Sequence, residues 1–73
     1  MHFLYQIVTS TYIYSLYEED KQIFLHVLNL RTEESTDVFG NTIILDVLNE
    51  DLEVTYDDIV EVHDIITSVL TSN

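Results

Sequence analysis

Apolar and polar residues alternate with a period of two in the first part of the chain and with a helical period in the last. From Thr11 to Leu30, two runs rich in aromatic and β-branched side chains, TYIYSLY and QIFLHVLNL, flank a polar tip, Glu18 to Lys21. This is the pattern of a β-hairpin. Alternation places Tyr12, Tyr14 and Leu16 on one face of the first strand, and Ile23, Leu25 and Val27 on one face of the second. Phe24, Leu28 and Leu30 take the other face of the second strand, with His26 among them, so that strand is apolar on both sides. Such a strand needs cover on both faces. One helix covers one of them; a second helix or a second copy of the chain has to cover the other. The earlier run HFLYQIV reads as a further strand.

RTEESTDVFGN reads as a connector. Beyond it, TIILDVLNED fits two patterns: Ile44, Val47 and Leu48 stand at helical spacing, while Ile43 to Leu45 suits a strand. The reading leans to a short helix over Thr42 to Asn49. The last element is the clearest. Thr55 is placed to cap a helix, with Asp58 three residues on, close to a capping box. Ile59, Val62, Ile66, Val69 and Leu70 then form one stripe, and Asp57, Glu61, Asp64 and Ser68 lie opposite. The spacing predicts an amphipathic helix from Tyr56 to about Leu70. The whole is a single α+β domain over residues 1–73: a small antiparallel sheet of two to three strands packed against a C-terminal amphipathic helix, with the shorter helix as a second.

Composition supports a folded chain. Apolar residues make up 47% of it, and valine, isoleucine and threonine each occur eight times. Disordered acidic tails lack such residues. There is no cysteine to brace the domain, and a core this small is marginal, so oligomerisation is a natural remedy. A homodimer through the sheet's second apolar face is expected, with Tyr12 and Tyr14 as dimer or partner contacts. Met1 to Ser10 carries no basic residue and does not read as a signal peptide; Met1 to Tyr17 is uncharged but short and polar-studded for a membrane span. The expected location is the cytoplasm (that of the host cell, if the chain is phage-encoded).

Charge changes the picture most. Fourteen Asp and Glu stand against two Lys and Arg, a net charge of −12. From Thr32 onward there are eleven acids and no Lys or Arg. The stretch EDLEVTYDDIVEVHD, residues 50–64, carries seven of them. Asp57 and Asp58 sit where the helix N-terminus is partly positive, which favours each by roughly 0.3–1 kcal/mol. Glu61 and Asp64 gain less, and the like-charge neighbours Asp57–Glu61 and Glu61–Asp64 each cost about 0.2–0.5 kcal/mol. Solubility asks for a net charge of only about −2 to −8 in a small domain. The surplus implies a cationic partner.

Acids three or four residues apart rise about 4.5–6 Å along a helix axis. That interval is comparable to, though shorter than, the spacing of phosphates along a nucleic-acid strand. A rigid carboxylate row can therefore enter a groove lined with Lys and Arg, where phosphate contacts dominate affinity. In size and charge the chain resembles the small acidic inhibitors, phage DNA mimics among them, that block nucleases, restriction systems, CRISPR effectors or DNA-binding proteins. The resemblance is compositional and rests on no motif. The expected contact set is Glu50, Asp51, Glu53, Asp57, Asp58, Glu61 and Asp64. The alternative is an acidic interaction or regulatory module that docks on a basic protein surface without imitating nucleic acid. Competition by nucleic acid separates the two.

Other classes fit poorly. No H-E-x-x-H, G-x-S-x-G, P-loop or cysteine nucleophile is present, and His2, His26 and His63 are scattered, so no enzyme is expected. NEDLEVTYDD lacks the glycine and spacing of a calcium loop, so no metal or other cofactor is expected. Direct nucleic-acid binding needs a basic groove that Lys21 and Arg31 cannot build.

Overall fold

The period-two runs become strands and the helical stripe becomes a helix. The computed structural model describes residues 1–71. Its elements are β1 (His2–Val8), β2 (Tyr12–Glu19), β3 (Gln22–Asn29), β4 (Ser35–Phe39), α1 (Asn41–Glu50) and α2 (Tyr56–Thr71). The strands form one antiparallel sheet in the order β1-β2-β3-β4. No helix among the described residues is long and apolar enough to cross a membrane.

Three local features differ from the sequence reading. The hairpin tip is two residues, not four: Glu19 pairs with Gln22, and Asp20 and Lys21 take φ of 52° and 66°. Two left-handed residues make a type I′ turn, whose twist matches that of the strands it joins. Second, the expected connector contains a fourth strand. In β4, Thr36 and Val38 pair with Val27 and Leu25, and Asp37 and Phe39 pair with His26 and Phe24. As a short edge strand it leaves polar side chains in solvent, which hid it among turn-like residues. Third, Leu70 lies outside the buried stripe, 60% exposed. The segment left open between helix and strand is helix α1.

Both helices pack on the same face of the sheet. Ile44 and Leu48 of α1 and Val62 and Ile66 of α2 join Ile7, Tyr14, Leu16, Ile23 and Leu25 in one core, closed from the α1–α2 loop by Val54. Thr55 caps α2, its Oγ1 accepting from the Asp58 N–H at 3.1 Å. Gly40, with φ of 98°, turns the chain from β4 into α1; this is backbone that L side chains avoid.

The other face of the sheet carries no helix. The register sorts it into three rows across the strands. The first is aromatic: Phe3 meets Tyr17 edge-on at 5.7 Å, Tyr17 stacks on Phe24 at 5.5 Å, and Phe24 stacks on Phe39 at 5.5 Å. The middle row is polar, Gln6, Ser15, His26 and Asp37, with Gln6 Nε2 donating to Ser15 Oγ and His26 Nδ1 lying 2.8 Å from Asp37 Oδ1. The third row is Val8, Ile13 and Leu28, ending at Ser35.

Candidate acidic docking site

Charge is divided between the two layers. From Asn41 to Thr71, the helices and their loop carry Asp46, Glu50, Asp51, Glu53, Asp57, Asp58, Glu61 and Asp64, with no Lys or Arg. Lys21 stands at the β2–β3 turn and Arg31 in the β3–β4 turn. Among the described residues, neither makes an ion pair with a carboxylate. The helix termini do not balance this charge. Neither helix has a basic residue in its last turn, and α1 ends on Glu50, at the end where a carboxylate is disfavoured.

The seven expected contact acids fall into two groups. Asp51, Glu53 and Asp58 tie the helix layer to the sheet. Tyr14 donates its hydroxyl to Asp51 Oδ2 at 2.5 Å, and Tyr5 donates to Asp58 Oδ1 at 2.7 Å. Glu53 accepts from the Ser10 N–H at 3.2 Å and from Ser10 Oγ at 2.5 Å, clasping the β1–β2 turn. Asp51 Oδ1 also accepts from the Glu53 N–H at 2.9 Å, which shapes the loop. Both tyrosines feel these neighbours. The hydrogen bond to Asp58, then burial, then the charges of Asp58, Glu61 and Asp57 hold the Tyr5 hydroxyl at about 12. Burial first, then the bond to and charge of Asp51, push the Tyr14 hydroxyl well above the tyrosine range.

Among the described residues, no side chain donates a hydrogen bond to Glu50, Asp57, Glu61 or Asp64, and all four stand exposed. Asp57, Glu61 and Asp64 form the outer ridge of α2, with His63 Nδ1 3.8 Å from Asp64 Oδ1 as the nearest counter-group. The acids do not converge: among the described residues, no three His, Cys, Asp or Glu side chains gather as a metal set.

Apart from this ridge, between α1, the loop after it and the sheet, lies a cleft of about 660 Å³. Its floor is the helix-facing side of the sheet, from Tyr12 and Tyr14 through Val27 to Thr36 and Val38. Val47 and Leu52 form the apolar part of its wall, and Glu50, Asp51 and Glu53 set three carboxylates along it. A smaller depression of about 210 Å³ shares Tyr12, Val27 and Thr36 and reaches Glu34. Leu52 is 99% exposed at the lip. The cleft thus joins five residues singled out from sequence, Glu50, Asp51, Glu53, Tyr12 and Tyr14, and separates them from Asp57, Asp58, Glu61 and Asp64 on α2. Tyr12 is half-buried in the floor with its ring 5.5 Å from that of Tyr14. Tyr14 itself is only 3% exposed, and both tyrosines lie on the helix side of the sheet, away from the open face.

Sequence reasoning missed the rest of the cleft: Thr36 and Val38 on the strand read as connector, and Leu52. Leu52 had one signal, an isolated leucine between two acids in a loop. Comparison with protein-family models, curated proteins and solved structures finds no match to this chain.

Proposed function

We propose that this chain acts by binding rather than by catalysis, docking its acidic helix layer on the Lys- and Arg-lined surface of a nucleic-acid-binding protein and occluding that surface as a phosphate mimic. The observation that carries this reading is the uneven charge: eight acids and no Lys or Arg between Asn41 and Thr71, against six acids with both basic residues before them, and among the described residues five of the eight have no hydrogen bond to another side chain. On the α2 ridge, Asp57, Glu61 and Asp64 stand about 4.5–6 Å apart along the axis. The cleft supplies what a bare ridge lacks. Its apolar floor accepts the aliphatic stem of a lysine or arginine, and Tyr12 offers a ring face to a guanidinium. Tyr14 and Ser10 fix the positions of Asp51 and Glu53, and a carboxylate retains further acceptor sites when one is used. Carboxylates held in place before binding lose less freedom on meeting a cation.

A second reading rests on the same cleft. A phosphate row has no apolar counterpart to Leu52 and Val47, so an apolar–cationic segment of a basic protein suits the cleft without any imitation of nucleic acid.

The test is affinity capture on the immobilised full-length chain from a lysate of its source cells, followed by titration of the captured protein. Affinity should fall steeply with salt, because the contacts are charge pairs near solvent. Duplex DNA should release the partner if the surface mimics phosphates; release by salt alone selects the second reading. Asp57→Lys with Glu61→Lys should abolish binding while the circular dichroism spectrum is kept. Affinity that is flat with salt refutes both readings, and affinity unchanged in that double variant refutes the first, whose contacts include the α2 ridge.

A further inference from the structure

The sheet face away from the helices is uncovered by any other described element. Four strands about 4.8 Å apart, carrying three rows about 6.7 Å apart, span roughly 400 Å² per copy in projection. Phe3 and Phe39 at the ends of the aromatic row are 51% and 49% exposed, and Val8 is 64% exposed. Two apolar strips, the aromatic row and the aliphatic row, therefore lie on this face on either side of the polar row, an extent that on a small protein often marks a functional surface. Phe24 is already 9% exposed between its aromatic neighbours, so the row is a packed ridge rather than a loose fringe.

We infer that this face is the contact surface of a homodimer, with Phe3, Tyr17, Phe24 and Phe39 as its anchor. Two observations select a second copy as the occupant. The first is electrostatic. The strand residues of this face include only two acids, Glu19 and Asp37, and Asp37 Oδ1 lies within hydrogen-bond distance of His26 Nδ1. A basic partner is drawn to the helix layer instead. Two copies joined on their open faces put both acidic layers outward, about 30 Å apart at roughly 10 Å per layer. That is several times the Debye length of about 8 Å at physiological salt, so the charge that opposes association elsewhere on the molecule is screened here. The second is self-complementarity. The polar row runs midway between the aromatic and aliphatic rows. A two-fold axis in the contact plane, parallel to the strands and midway between β2 and β3, sets aromatic row on aromatic row and polar on polar, with each Asp37 opposite the other copy's Gln6, as an isologous contact allows. Two such faces bury on the order of 1,000 Å² once side-chain relief is added to the projection, the extent at which a specific interface begins.

This inference uses a different surface from the docking reading, and salt separates them: docking on a basic partner weakens as salt rises, whereas the dimer should hold or tighten. Sedimentation equilibrium of the full chain should give twice the 8.5 kDa chain mass. Phe3→Ser with Phe39→Ser should weaken the dimer at least 100-fold and leave the circular dichroism spectrum unchanged, because both side chains are half outside the fold already. A measurement on the unaltered chain guards against misfolding of the variant. On dilution, the methyl resonances of Val8, Ile13 and Leu28 should shift while those of Val54 and Val62 stay fixed. A chain that is monomeric up to its highest soluble concentration overturns the inference. So does a dimer broken by Glu61→Lys but not by the phenylalanine changes. A monomer that floats with neutral phosphatidylcholine vesicles would assign the face to a lipid surface instead.

Discussion

Glu61→Lys should stabilise this protein while weakening its docking. Glu61 is exposed on α2, with Asp57 and Asp58 one turn before it and Asp64 one turn after. Each like-charge pair at this spacing costs about 0.2–0.5 kcal/mol, and each opposite pair returns a similar amount. A lysine at this position removes three repulsions and creates three attractions. Two of the attractions place the acid N-terminal to the lysine, the better orientation. Solvent screening of exposed pairs brings the expected gain to about 1 kcal/mol. The net charge moves from −12 to −10, which relieves general self-repulsion in the same direction. In a domain of this size that is a rise of about 4–8 °C in Tm. Urea unfolding followed by circular dichroism at low salt measures it, and Glu61→Gln should give about half the effect. In about 1 M salt, where the Debye length is about 3 Å, most of the gain should vanish. If Glu61→Lys leaves stability unchanged or lowers it at low salt, the acidic ridge costs the fold nothing. The argument that it is retained for a partner then fails, and a well-hydrated exterior remains.

Three further outcomes are expected. Tyr5 and Tyr14 have folded-state ionisations raised above the ordinary tyrosine value, Tyr5 to about 12. Stability should therefore be complete below pH 10 and fall as pH rises from 10 towards 12, where unfolded tyrosines lose protons that folded ones retain; urea midpoints across that range should flatten in a Tyr5→Phe, Tyr14→Phe double variant. Tyr14→Phe alone removes the bond to Asp51 and should cost about 1–2 kcal/mol at neutral pH, read as a lower urea midpoint at unchanged slope. Gly40→Ala should cost more than about 1 kcal/mol, because φ of 98° is strained for any Cβ and the added atom meets Ile43 Cδ1 at 3.4 Å; a variant as stable as the parent would show that this turn relaxes without loss.

The local elements were legible from periodicity. The β2–β3 hairpin, the strand over residues 2–8, the cap at Thr55 and the start of α2 all follow from side-chain spacing, which needs no knowledge of neighbours. So does the two-sided apolar character of β3, which implies a second covered face before any fold is known. The strand β4 was not legible, because its partners His26 and Phe24 lie well before it in the chain and its own residues resemble a loop. The acids were legible as a charge excess but not by role. That Asp51, Glu53 and Asp58 bind Tyr14, Ser10 and Tyr5, across 37, 43 and 53 residues, is decided only when the helix layer closes on the sheet. The same closure makes the cleft, since its floor comes from three strands and its wall from α1 and the loop after it. Period and composition determine which surfaces must be buried and how much charge the chain carries. Only the packing of both helices on one side of the sheet decides that eight of the fourteen acids gather on that side and that the aromatic row faces away from the helices on the other.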